Sequence, residues 1–411
     1  MMNKENIYCG LDIGAQRIKA CLIRVRKDQS LEIMGVSQVA TSGLRKSSVS
    51  DLNNFSDSIN RVVFGLTEKA KVKVREVHLG IGGHFIQGRK THTVIPLADK
   101  GNKVITSFDI KKINHQACLL GVNLDEKLIH DFPIQYVVDD FNVSSNPLGL
   151  HGRKLEASIL IAVAQGNLIN NIYKAVQQAG FEVRATAFSS LCAAEACLTE
   201  EEKKTGCVFL DIGAQATDIL IFKDGLLKNF LVLNFGGDQL TEEIARVLNL
   251  PFDLAEDIKR SYAMVVQAEG LSSVKGEILV KRDTGYVTLD RLSICNVVTP
   301  WAEMLVEKIC HGIRQFDLEH HLSSGVTVSG GGALLAGLLE HIEHKLSLST
   351  RMAKIRLDAR HLNNPAVYAA SIGLASRISQ ESMSSLFSPQ QQGSWVNKVK
   401  NRLRELYQEY F

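Results

Sequence analysis

The stretch CGLDIGAQRIKACLI at residues 9–23 returns in altered dress as CVFLDIGAQATDILIF at 207–222, and the six residues LDIGAQ are identical at 11–16 and 210–215. In each copy an apolar run enters a Gly turn and a second apolar run leaves it, the pattern of a strand, a tight turn and a returning strand. Identity of this length, half a chain apart, predicts two related α/β domains that each contribute one loop to a shared cleft. Ligands are then expected between the halves.

At 411 residues the chain exceeds the ~250 to 300 residues at which one hydrophobic core stops growing, so more than one domain is required. Hydrophobic residues at 45% and charged residues at 22% exclude a disordered chain. Lys plus Arg 47 against Asp plus Glu 44 leaves +3, too weak a field to argue for nucleic acid, and no nucleic-acid partner is expected. No window approaches the ~18 apolar residues of a spanning helix, and the opening MMNKENIYCGLDIG lacks the order of a signal peptide, so the protein is expected inside the cell. The eight cysteines (9, 21, 118, 192, 197, 207, 295, 310) form no Cys-x-x-Cys, and several lie in apolar runs, which reads as reduced and structural.

Working outward from the repeat, residues 1–76 and 165–205 are expected to build the first domain, with a compact α+β module inserted at 77–164. Residues 206–237 and 326–379 build the second domain, and 238–325 its smaller subdomain. Within the insert, KVREVHLGIGGHFIQGRKTHTVIPL (73–97) reads as paired strands; further on, SSLCAAEACLTEEEK (189–203) reads as one helix, and PWAEMLVEKICHGIRQF (300–316) as another. The Ser- and Gln-rich segment 380–393 reads as a flexible linker to a separate terminal unit at 394–411.

A Gly turn after a strand bares N–H groups for phosphate oxygens, and an Asp at the strand end can hold a hydrated magnesium ion. Asp12 and Asp211 occupy equivalent positions for that role, although a lone Asp-Ile-Gly is often only a turn. The two loops, the connecting helix AFSSLCAAEACL, the turn VTVSGGGALLAG (326–337) and the closing helix PAVYAASIGLAS follow one another in an order that resembles the actin, Hsp70 and sugar-kinase superfamily. Within it, LTEEEKKTGCVFLDIG, NFGGDQLTEEIA, the insert between the loops and the terminal Gly-Ser-Trp helix are similar to the FtsA family of bacterial cell-division proteins.

That resemblance implies an actin-like, ribonuclease H-like duplicated α/β fold that binds ATP or ADP with Mg2+. Carried over residue by residue, it assigns nucleotide contacts to Asp12, Gly14, Lys19, Asp211, Gly213, Gly236, Gly237, Glu256, Lys259, Gly330, Gly331 and Gly332. Asp12 and Asp211 would hold the metal through water, and Glu195 with Asp211 would form the catalytic pair, Glu195 standing where the family carries a water-positioning side chain. Ordinary alternatives exist for each: a salt bridge for Lys19, an exposed helix glutamate for Glu195, a plain i,i+3 pair for Glu256 and Lys259. Two departures stand out. Ala15 replaces the family's Thr or Ser, and Ala214, Gln215 and Ala216 replace Gly-Gly-Thr. Lost hydroxyls, and side chains that disfavour positive φ, lead to an expectation of slow or absent turnover.

At the end of the chain Val396, Val399, Leu403, Leu406 and Tyr410 form one helical stripe flanked by Trp395, Tyr407 and Phe411. Lys398, Lys400, Arg402 and Arg404 against Glu405 and Glu409 give the other face a basic balance. Such a helix, ~26 Å long, suits the interface of an anionic membrane, although a packed terminal helix has the same pattern. The resemblance adds partners: the FtsZ C-terminal tail, met by Lys281, Arg282 and Arg291; further copies of the chain in an actin-like filament; later division proteins; and the anionic inner face of the cytoplasmic membrane at the septum. A PilM-like scaffold of a membrane assembly and a metabolic kinase or phosphatase of the same fold are the rival readings.

Overall fold

The computed structural model describes residues 6–45, 48–98, 101–266, 276–282, 285–316 and 322–377. The linker and the terminal helix, including Trp395, Val396, Val399, Leu403, Leu406 and Tyr410, lie outside the described residues.

The first repeat becomes the hairpin β1 (Ile7–Ile13) and β2 (Arg17–Val25), extended by β3 (Leu31–Ala40). Helix α1 (Leu52–Ala70) follows, capped where Asp51 accepts from the Asn54 N–H and stopped where Lys71 turns into the left-handed region. It lays Phe55, Ile59, Val62, Val63 and Leu66 onto the sheet. Strand β4 (Glu76–Ile81) pairs parallel to β1, so the segment 73–97 is not a pair of strands facing each other. Its second half, β5 (Gln87–Pro96), joins a different sheet, because the buried Val77, Leu79 and Ile81 complete the first core while β5 pairs along the insert.

The insert packs α2 (Ser107–Gly121) on an antiparallel sheet of β5, β6 (Glu126–Val138), β7 (Asn142–Ser144) and β8 (Lys154–Gln165), in the order β7-β6-β8-β5. A capping box between Thr106 and Asp109 starts α2. Its own core gathers Ile95, Ile113, Tyr136, Val138, Ile159 and Ile161. The chain returns through α3 (Gly166–Gln178) to β9 (Glu182–Phe188), the last strand of the first sheet, ordered β9-β4-β1-β2-β3.

The segment 189–203 forms two helices, α4 (Ser189–Cys197) and α5 (Glu200–Thr205). Thr199 caps α5 reciprocally with Glu202, and that Thr-x-x-Glu box restarts the helix and breaks the single helix expected there. The second repeat then builds β10 (Cys207–Ile212), β11 (Thr217–Lys223) and β12 (Leu226–Leu233). The chain continues with α6 (Gly237–Val247), α7 (Phe252–Tyr262), the hairpin β13 (Glu277–Arg282) and β14 (Gly285–Asp290), and α8 (Arg291–Arg314). Helix α8 starts nine residues before Pro300, where the sequence suggested its beginning. The ring removes one backbone bond, but the buried stripe from Ile294 and Val298 to Leu305 and Ile309 continues across it, and burial of that stripe outweighs the loss.

Strand β15 (Val326–Ser329) lies parallel to β10, and after α9 (Leu338–Leu346) β16 (Thr350–Met352) closes the second sheet, ordered β12-β11-β10-β15-β16. The two sheets therefore share one pattern: a meander of three antiparallel strands, then two parallel additions beyond its first strand. All eight cysteines are free; seven are buried, and burial pushes the Cys9 thiol up to about 12. This agrees with the reduced, structural reading.

Candidate functional site

The two repeat hairpins place their chemistry in identical registers. Asp12 on β1 faces Lys19 on β2, and Asp211 on β10 faces Asp218 on β11. The N-terminus of α4 enters between them. Ser189 Oγ donates to Asp12 Oδ1 at 2.7 Å, while Ser190 Oγ bonds Asp218 Oδ2 and lies 3.2 Å from Asp211 Oδ2. A hydroxyl has one proton, so a serine between two carboxyls is best satisfied when one of them keeps its own.

Burial raises Asp12 and Asp211 above the usual carboxylate range, with Lys19 opposing the shift at both. Burial, reinforced by the Asp211 carboxylate, pushes Asp218 up to about 7 despite bonds from Ser190 and the Gly83 N–H. Asp218 Oδ1 is buried without a hydrogen-bond partner among the described residues. One Lys among three buried carboxyls leaves a site short of positive charge, which suits a hydrated divalent cation.

These groups floor a cleft of about 730 Å³, a volume within the range of small-molecule sites. Its walls include Gly14 to Arg17 and Gly213 to Ala216 at the hairpin tips, the Gly330 to Gly332 turn, and Glu256, Lys259 and Ser261 of α7. The tip carbonyls are engaged by protein donors: Gly14 O by Thr41 Oγ1 at 2.8 Å, Gly213 O by the Gly237 N–H at 3.0 Å, and Ala214 O by the Asp238 N–H. A trans peptide points the next N–H the opposite way. The amides of Ala15, Ala214 and Gln215 are therefore turned from those donors. None of Ala15, Gln16, Ala214, Gln215 or Ala216 has positive φ. The restriction expected from replacing glycines does not arise, because the turn runs through backbone conformations that a side chain accepts.

The Gly-rich turn divides its roles. Gly330 has φ +86°, and a Cβ there would lie 2.4 Å from Ile212 O and 2.5 Å from Asp211 Oδ1. It allows the turn to lock onto the second hairpin. Gly332 packs likewise on Ile212, whereas a Cβ on Gly331 meets nothing within 4 Å, so Gly331 is the member with room for a ligand. Gly236 is a packing residue as well, since its Cβ would lie 2.7 Å from both Gly213 O and Ala214 O. Glu256 pairs with Lys259 at 2.6 Å, and Lys259 Nζ also donates to Gly237 O at 2.9 Å and Thr241 Oγ1 at 2.7 Å. The i,i+3 ion pair and the cleft wall are thus one structure. Burial raises Glu256, but the bonds from Lys259 and Thr241 more than offset it and hold the carboxyl below its usual range.

Glu195 does not reach the cleft. Its carboxylate takes Arg377 Nη1 at 3.1 and 3.3 Å and is absent from the cleft walls. Only the first two residues of α4 point at the site, and Glu195 lies about a turn and a half further on, against the final helix. Lys281, exposed on β13, and Arg291, half-buried at the start of α8, lie away from the cleft walls, while the Arg282 side chain lies outside what the structure describes. Sequence reasoning missed Ser189, Ser190, Asp218, Gln16 and Asp238. Laying one repeat on the other would have found Asp218, which follows Asp211 by seven residues as Lys19 follows Asp12.

Comparison with known proteins gives a consistent picture. A family model described as cell division protein FtsA matches residues 208–373, and one described as the SHS2 domain inserted in FtsA matches 83–163, together more than half of the chain. The cell division protein FtsA of Pseudomonas aeruginosa is 27% identical over 368 residues, covering 89% of this chain and 87% of that protein. That of Escherichia coli K12 is 24% identical over 425 residues, covering 98% of each. Among solved structures, the PilM-PilN type IV pilus biogenesis complex matches at TM-score 0.65 and 17% identity, over 90% of this chain and 98% of that one. MreB5 of Spiroplasma citri bound to ADP matches at TM-score 0.52 and 14% identity, over 92% and 98%. These structural likenesses establish the actin-like fold.

Proposed function

We propose, from the premise that the chain belongs to the FtsA family of cell division proteins, that it is a nucleotide-binding, actin-like protein that links the FtsZ ring to the cytoplasmic membrane. The observation that supports this most is the convergence of Asp12, Lys19, Asp211 and two sets of tip amides on one cleft. In that arrangement the amides bind the phosphates of ATP or ADP, and Asp12 and Asp211 orient the water shell of Mg2+. Lys19 balances charge between them. Gly331 and α7 face the nucleoside.

Turnover is slow in this reading. Glu195 is tied to Arg377, and the tips present Ala15 and Ala216 where hydroxyls would meet the reacting phosphate. Partners follow from the family: the FtsZ tail on the smaller subdomain near Lys281, Arg282 and Arg291, further copies of the chain in a filament, and later division proteins. No helix among the described residues is long and apolar enough to cross a membrane. The stripe at 394–411 supplies peripheral attachment to anionic lipid.

Calorimetry with Mg-ADP and Mg-ATP tests the cleft: the wild type binds, and Asp211→Ala weakens magnesium-dependent binding. An inert wild type overturns the nucleotide reading. Flotation on anionic liposomes tests the tether, with loss expected on removal of 394–411 and equal flotation of the truncated chain counting against it.

A further inference from the structure

The outer face of α2 carries a combination of side chains that folding of the insert does not use. Ile113 and Ala117 are buried in the insert's core. At ~3.6 residues per turn the opposite stripe is Phe108, Lys112, His115 and Leu119, with Lys111 beside it. Phe108, Leu119 and Leu120 are 64%, 65% and 68% exposed, and Leu124, in the turn that follows, is fully exposed. A single exposed leucine is ordinary. Three within residues 119–124, at one end of one helix, make a patch.

The charge on this face is mostly of one sign. Lys111 and Lys112 are exposed and make no hydrogen bond or ion pair among the described residues. The acid of α2, Asp109, is buried and takes Lys103 Nζ at 2.7 Å, which leaves Asp125 as the exposed acid of residues 105–125. Leucines framed by lysines suit an anionic lipid surface, where the apolar groups sink while the ammonium groups stay among the headgroups. Shape favours the same occupant. Helix α2 is the outer layer of the insert, packed on β5 and β8, and the far side of that sheet gives Leu160, Ala162 and Ala164 to the first core. The face is therefore convex, whereas a partner helix docks in a groove.

The described chain also ends on this side of the molecule. Arg377, its last residue, lies near enough to His130 of β6 to reinforce the effect of burial in lowering that imidazole. From His130 back to Leu124 the backbone spans at most ~22 Å, and residues 378–393 span at most ~58 Å. The terminal stripe and the leucine patch are thus within reach of one flat surface. We propose that Phe108, Lys111, Lys112, Leu119, Leu120 and Leu124 form a second lipid contact, which meets the same anionic bilayer as the stripe at 394–411. The inference rests on the proposed peripheral attachment and adds to it a surface and an orientation. One weak contact binds marginally and lets the body swivel; two in one chain multiply and fix which side faces the lipid.

The test measures half-saturating lipid for the full chain on vesicles of equal phosphatidylglycerol and phosphatidylcholine, and on vesicles of phosphatidylcholine. Lys111→Glu with Lys112→Glu is expected to raise it at least ~10-fold on the mixed vesicles and less than ~2-fold on phosphatidylcholine. Leu120→Glu with Leu124→Glu is expected to raise it at least ~10-fold on the mixed vesicles. All four side chains are exposed, so the thermal midpoint of both variants should match the wild type's. Half-saturation unchanged in both variants overturns the insert contact and leaves the terminal stripe standing. Sedimentation velocity without lipid checks the rival occupant: variants that lose self-association there make the face a contact between copies of the chain and overturn the lipid reading. A chain lacking 394–411 that still binds the mixed vesicles, and loses that binding with the lysine variant, keeps the insert contact and overturns the terminal tether. A wild type that binds neither vesicle overturns both.

Discussion

The hairpins at 7–25 and 207–223 share six identical residues and the same antiparallel register, and they differ where the register matters most. Seven residues after the aspartate the first has Lys19 and the second Asp218. The first carboxyl therefore has a cation opposite it, with Ser189 as a further donor. The second faces another carboxyl, bridged by Ser190, and Asp218 holds its proton to about pH 7. Repetition fixed where side chains point; one substitution per copy set opposite electrostatics. An actin-like cleft built from two copies of one hairpin thus carries a different charge pattern in each half.

The largest effect should come from separating the second hairpin from its buttress. Gly330→Ala forces a Cβ into Ile212 O and Asp211 Oδ1 at positive φ and should cost about 2–4 kcal/mol. Gly331→Ala, in open space, should stay within about 0.5 kcal/mol. Urea denaturation of the two variants gives the contrast, and equal costs would show that the turn does not lock onto the hairpin.

Next is the proton on Asp218. An unfolded aspartate ionises near pH ~3.9, whereas the folded group keeps its proton to about 7. Between those values the folded state binds more protons, so stability falls as pH rises, by at most about 1.4 kcal/mol per pH unit. His130, lowered to about 3 by burial, acts with the opposite sign from pH 6.5 downward. The informative quantity is therefore the difference between wild type and Asp218→Asn from pH 4 to 8. It should favour the variant increasingly as pH rises, and a difference that does not change with pH removes the carboxyl pair from the account.

A smaller effect distinguishes the serines. Ser190→Ala releases two carboxyls and should cost about 1–3 kcal/mol, whereas Ser189→Ala releases one and should cost about half as much. Thermal unfolding of both, read at one pH, would reverse the comparison if Ser189 proved the more costly loss.

The smallest concerns the tips. Ala216 is buried, with its Cβ 3.2 Å from where a Cβ on Gly83 would stand, while Ala15 is half-exposed. Ala15→Thr should change stability by less than about 0.5 kcal/mol and raise any hydrolysis more than affinity. Ala216→Thr should be tolerated less well. A rate unchanged by Ala15→Thr would mean that the missing hydroxyl is not what limits turnover.

Much of this could be read before any coordinates. The repeat and the order of strands and glycines announce the duplicated fold, since each is a local pattern with a local physical cause. Where reading went astray, a competing local signal or a distant partner decided the outcome. Thr199 and Glu202 cap a second helix inside an otherwise continuous pattern, and Pro300 looked like a start because the buried stripe that overrides it faces other elements. Glu195 sits on the right helix, but its direction is set by Arg377, which is 182 residues away.

By itself the sequence determined that the chain duplicates a strand-turn-strand unit, that each unit ends a strand in aspartate before a glycine, and that a small module interrupts the first half. Only the tertiary structure decided which groups meet: Ser189 and Ser190 between the hairpins, Asp218 as a third buried carboxyl, and Gln16 on Asp238 across the cleft. The reason is one of range. Strand and turn preferences act over a few residues and are written in the order of the chain. Desolvation and hydrogen bonding between buried groups depend on what the fold brings within about 3 Å, and in this cleft the first hairpin meets Ser189 of α4 across 177 residues and Asp238 of α6 across 222.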